Sequence, residues 1–103
     1  EVMMMKMMMI VYAETVDQDV MAALTQVDIK KYIKMERVIG RSPEIENMAQ
    51  EGSIYWTEKY ILLMLAVKDE EVQNVTDMFR KLKKEHPVKG GYHVFVVPME
   101  QLL

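Results

Sequence analysis

Two glycine-bearing stretches are the parts of this chain best suited to hold an anion. In Gly40-Arg41-Ser42 and in Lys89-Gly90-Gly91, glycine lets backbone N–H groups come close to a charged oxygen, while Arg or Lys supplies the opposite charge. Each stretch alone is also ordinary turn composition. His86 and His93 carry metal-ligating nitrogens, but across Pro87 and the two glycines they match no standard ligand spacing, so a structural or simply exposed histidine is the favoured reading. Met7 and Met9 alternate along an apolar run and so share a strand face, where soft thioether sulfurs suit copper(I). The plainer reading is that methionine fills an irregular core or interface. Tyr55 and Trp56, with Tyr60 close by, offer either a stacking platform or a partner's anchor, or else they pack against a neighbouring subunit or close the base of the loop.

What is missing narrows the function further. There is no cysteine, hence no disulfide framework, thiol nucleophile or thiolate metal site. Nucleophile elbows, lysine-bearing phosphate loops, His-Glu-x-x-His helices and Ser/His/Asp sets are also absent from the sequence. Paired acids such as Glu70 and Glu71 stand at the start of an expected helix, where the helix dipole explains them. A non-catalytic protein is expected. With 16 acidic against 13 basic residues and a net charge of −3, no basic footprint for DNA or RNA is evident. The apolar run from Met7 to Ala13 is far too short to span a bilayer, which takes about 20 residues, so the reading is a cytoplasmic protein without membrane insertion.

The elements that must position these residues follow from periodicity. At 103 residues the chain is read as one domain, residues 1–103. Met7 to Ala13 (MMMIVYA) and Tyr60 to Val67 (YILLMLAV) are nearly continuous apolar runs, the pattern of central strands buried on both faces. Residues 17–26 carry Val20 and Leu24, followed by Val27, at helical spacing behind Asp17, a candidate cap. Lys31 to Ile39 alternates as a strand with one face partly wet. Residues 40–53 hold Gly40, Pro43 and Gly52 without a sustained period and read as a long loop. From Asp69 to Glu85 the order acid, apolar stripe, base marks a second helix, and Tyr92 to Val97 a last strand. The sum is α+β: a ferredoxin-like βαββαβ order with a four-stranded antiparallel sheet and both helices on one face. Two helices cannot cover both faces of such apolar strands, so the open face is expected to pack against copies of the same chain.

In this order and spacing the chain resembles the PII signalling superfamily. The likeness is carried by Val38-Ile39-Gly40-Arg41, by Asp69-Glu70-Glu71-Val72, and by Gly90-Gly91-Tyr92-His93-Val94-Phe95-Val96-Val97-Pro98. These look like the entry to the family's T-loop, the opening of its second helix, and its B-loop with the final strand. The resemblance implies a homotrimer with ligand clefts between subunits and a T-loop that touches a target protein, such as a transporter or an enzyme. It places Gly40 and Arg41 opposite Lys89, Gly90, Gly91 and His93 across such a cleft, around a small anion or a nucleotide, and gives the loop aromatics Tyr55 and Trp56 to partner contact. The chain departs from the ATP-binding pattern. Tyr60 and Met64 stand where those relatives carry a Lys and a Glu, and Gly90-Gly91-Tyr92-His93 replaces a Gly-Asp-Gly-Lys loop; weak or no ATP binding is therefore expected. Ser53-Ile54-Tyr55-Trp56 and His86-Pro87 also look like motifs of CutA-like trimers, a branch that implies divalent or copper metal binding as the alternative.

Overall fold

Strand β1 (Met5–Ala13) and strand β3 (Tyr60–Lys68) lie side by side in the middle of the sheet, as their apolar runs require. The computed structural model describes residues 4–39 and 59–100. Around the central pair the sheet is completed by β2 (Ile33–Val38) and β4 (His93–Pro98), in the order β2-β3-β1-β4 with every pairing antiparallel. Helix α1 (Asp17–Gln26) links β1 to β2, and α2 (Val72–Glu85) links β3 to β4. This is the ferredoxin-like α+β arrangement.

The core lies between the sheet and the helices. Met8, Ile10 and Tyr12 of β1 and Ile61, Leu63, Leu65 and Val67 of β3 point into it, against Val20 and Leu24 of α1 and Val75, Phe79 and Leu82 of α2. Each of these fully buried aliphatic or aromatic side chains contributes about 1.5–3 kcal/mol relative to exposure. The two-sided burial expected of β1 and β3 is not reached within one chain. Their alternate residues Met7, Met9, Val11, Leu62 and Met64 are only half-buried, because among the described residues no helix covers that face.

Helix α1 covers the expected residues 17–26 but without the expected Asp17 cap, and α2 begins at Val72 rather than at Asp69. Neither has a side-chain cap; each grows instead out of a 3-10 turn, Glu14–Val16 before α1 and Asp69–Glu71 before α2. Asp17 does not cap α1, since its carboxylate accepts hydrogen bonds from Tyr12 and Lys34. The end of α1 is a Schellman motif: the Asp28 N–H donates to the Thr25 carbonyl and the Ile29 N–H to the Leu24 carbonyl. Asp28 takes φ 59° there, the left-handed position that glycine usually fills. Strand β2 is shorter than the expected 31–39, and a register shift falls between Met35 and Val38, where Arg37 has φ 60°. Such a bulge ends regular pairing and turns the edge strand away.

Candidate functional site

One end of the sheet collects the residues that could bind an anion. There β1 and β2 finish and β3 and β4 begin, so that Ala13 and Val38 both pair with Tyr60, and Val11 pairs with His93. Tyr60 and Ala13 are buried and form a small cluster with Val11, Val38 and Val88. The chain leaves this end at Ile39 and returns to it at Lys59, whose carbonyl accepts from the Glu14 N–H at 2.9 Å.

The turn before β4 is built on this floor. The Gly91 N–H donates to the Val88 carbonyl at 3.0 Å, closing a β-turn with Lys89 and Gly90 at its centre. Gly90 has φ 85°, the value that the third residue of a type II turn demands. A Cβ there would fall 2.6 Å from the Tyr60 hydroxyl oxygen, so glycine is required twice over, by conformation and by space. Gly91 is also left-handed, at φ 69°, but has nothing within 4 Å of a would-be Cβ. His93 Nε2 donates to the Gly90 carbonyl at 2.5 Å. A carbonyl oxygen has no proton to give, so this contact places the ring N–H on Nε2 and leaves Nδ1 as the acceptor in the neutral ring.

Lys89, Gly90, Gly91 and His93 are therefore held together, with Lys89 exposed at the tip. Gly40, Arg41, Tyr55 and Trp56 lie outside the described residues. The two histidines do not converge. His86 turns to the helix side, where its Nε2 lies 3.6 Å from Asp19 Oδ1 and its carbonyl accepts from the Tyr92 hydroxyl, whereas His93 belongs to the strand. Burial, with Asp19 nearby, raises the Tyr92 hydroxyl above the usual tyrosine range. Among the described residues no group of three or more His, Asp or Glu is placed to hold a metal ion, and no helix is long and apolar enough to cross a membrane.

Reading the residues alone missed two features. The first is Tyr60 as the wall under Gly90; its position at the head of an apolar strand was visible, its partner was not. The second is the trio Tyr12, Asp17 and Lys34. Asp17 receives the Tyr12 hydroxyl at 2.7 Å on one oxygen and the Lys34 ammonium at 2.8 Å on the other. Burial and the carboxylate push the Tyr12 hydroxyl far above the ordinary tyrosine range, and the bond to Asp17 raises Lys34.

No family model matches the chain, and no curated protein matches it. Solved structures do. CPII from Thiomonas intermedia K12, bound to ADP, AMP and acetate, superposes with a TM-score of 0.70 at 16% identity, over 94% of this chain and 87% of that one. The apo form of the same nitrogen regulatory PII-like protein gives 0.68 at 17% identity, over 93% and 89%. A functionally unknown protein from Pediococcus pentosaceus ATCC 25745 gives 0.66 at 16% identity, over 99% and 98%. At such identities the likeness is one of fold, and the fold is that of PII-like proteins.

Proposed function

We propose that this chain is a non-catalytic, PII-like regulator. In this reading it acts as a cytoplasmic homotrimer that senses a small anion or a nucleotide in clefts between subunits and signals through residues 40–53 to a target protein such as a transporter or an enzyme. The observation that carries the reading is the shared address of the two parts. The Lys89-Gly90-Gly91 turn with His93 stands at the sheet end from which residues 40–58 depart and to which they return. A ligand held by that turn, with Gly40 and Arg41 completing the cleft, acts on both ends of the target-contacting segment at once, and Tyr55 and Trp56 serve as its anchors.

Two further observations support it. CPII of the same fold has been solved with ADP, AMP and acetate and also with ADP, AMP and bicarbonate, which makes adenine nucleotides with a small carboxylate or carbonate the first ligands to test. The open sheet face, half-buried in Met7, Met9, Leu62 and Met64 and exposed in Ile33, Met35, Phe95 and Val97, is the surface for self-association.

The test is calorimetry of the purified chain with ADP, AMP and bicarbonate, alone and in combination, beside pull-downs with the full chain and one lacking residues 43–51. Binding that falls on Lys89→Ala, together with a partner lost on deletion, is the expected pair of results. A partner retained after the deletion overturns the role of the segment, and ligand binding indifferent to Lys89 and Arg41 overturns the placement of the cleft.

A further inference from the structure

On the side of the molecule away from the open sheet face, α1 and α2 do not close against each other along their outer surface. A cleft of about 590 Å³ opens between the end of α1 and the start of α2, and a smaller one of about 140 Å³ continues it toward the start of α1. Gln26, Met78 and Lys81 line both, so the two form one groove. Its floor is apolar: Ala23, Val75, Met78 and Leu82. Small and flexible side chains such as Ala and Met leave room for a partner and adapt to its shape.

The rim is strongly one-signed. Asp19, Asp28, Glu71, Asp77 and Glu85 line the groove against one lysine, Lys81, with His86 at one end. Asp77 is engaged by Arg80 at 2.9 Å, and Asp28 lies 3.5 Å from Lys30. Glu71 and Glu85 have no ion-pair partner among the described residues. They mark the two ends of the groove, separated by the length of α2, which at 1.5 Å per residue is about 20 Å.

We infer that this groove is a docking surface for a cationic amphipathic helix of a partner protein, about four turns long, with an apolar stripe along the floor and a Lys or Arg near each end facing Glu71 and Glu85. An apolar floor between two helices with carboxylates along its edges is complementary to such a helix in shape and in charge. The surface uses none of the residues of the proposed ligand cleft and remains on the outside when the open sheet faces pack together. It therefore stands or falls independently of the nucleotide and of the trimer.

The probe is a synthetic 15-residue helical peptide with leucines at i, i+3, i+4 and i+7 spacing and a lysine near each end, beside a control with glutamate replacing both lysines. Amide chemical shifts of the labelled full chain locate the contact. The lysine peptide is expected to shift residues of α1 and α2 and not those of β1 and β4, and to bind more weakly as salt rises. The double variant Glu71→Gln/Glu85→Gln, shown folded by its unperturbed spectrum, is expected to weaken it about five-fold, the size of two exposed ion pairs. Shifts centred on Met9 and Phe95, equal binding of the glutamate peptide, or unchanged affinity in the double variant would each overturn the inference.

Discussion

The Lys34 ammonium lies 2.8 Å from the Asp17 carboxylate, so the edge strand β2 is fastened to the first turn of α1. Tyr12, wholly buried in β1, holds the other carboxylate oxygen. Three elements thus meet on one acid. Both donors have folded-state affinities for their protons raised above ordinary values, Tyr12 chiefly by burial and Lys34 chiefly by its bond to Asp17. Groups shifted upward stabilise the fold below their unfolded pKa and lose that contribution as pH climbs toward the folded value. Stability is expected to fall steadily above about pH 10, where a tyrosine in the unfolded chain ionises. Tyr12→Phe should cost about 1 kcal/mol at neutral pH, the net worth of such a bond, and flatten the alkaline fall. Urea titrations of the parent and variant at neutral and alkaline pH measure both effects; an equally steep alkaline fall in Tyr12→Phe contradicts the assignment.

Gly90 and Tyr60 make a second testable pair. Gly90→Ala places a methyl 2.6 Å from the Tyr60 hydroxyl at φ 85°, and the combined clash and left-handed strain should cost about 2–4 kcal/mol. Gly91→Ala carries only the conformational part, about 1–2 kcal/mol. Removing the hydroxyl with Tyr60→Phe should make Gly90→Ala less costly than in the parent background. A double-mutant cycle by thermal melting reads the coupling, which is expected to be favourable; additive effects would mean that the contact is not tight.

These two sites also show what could be read from the chain and what could not. The runs Met7 to Ala13 and Tyr60 to Val67 announce central strands because both are apolar at successive positions, and α2 announces itself by charge order and stripe. Continuous apolarity says that both faces avoid water, but not what covers them. Among the described residues the helices cover the face of Met8 and Leu63 and leave the other open. Asp17 looked like a cap because caps are local, while its real partners are five residues back in β1 and seventeen ahead in β2. The left-handed Arg37 has no compositional cue at all. The turn at Lys89-Gly90-Gly91 was legible because paired glycines are informative; its wall, Tyr60, comes from a distant strand. Gly40, Arg41, Tyr55 and Trp56 lie outside the described residues.

The end of α1 is a place where the protein can be improved. Asp28 adopts φ 59° in a Schellman motif, a conformation that costs an L-residue about 1–2 kcal/mol and glycine almost nothing. Its ion pair with Lys30, at 3.5 Å, is highly exposed on both sides and offsets little of that strain. Asp28→Gly is therefore expected to stabilise the chain by about 0.5–1 kcal/mol, after allowing for the greater freedom of glycine in the unfolded state. Chemical denaturation measures this directly. Destabilisation would show that the Asp28 side chain contributes more than its conformation costs.

The open sheet face gives the last prediction. Met9 of β1 lies opposite Met64 on one side and Phe95 on the other, and Met64 in turn lies opposite Ile33, so one apolar row crosses all four strands. Phe95 and Ile33 at its ends are 55% and 59% exposed in the single chain. An exposed apolar row of this kind marks an interaction surface, and three copies facing inward would cover it without using the helices. Light scattering at micromolar concentration is expected to report about three chains. Met9→Glu places a charge at the centre of the row, where an interface would strip it of water at a cost of several kcal/mol. In the single chain, by contrast, the same side chain can reach solvent. The variant is expected to stay folded by circular dichroism while its mass falls to that of one chain. A parent protein that is monomeric at every concentration contradicts the trimer, and a Met9→Glu variant that remains trimeric places the contact on another face.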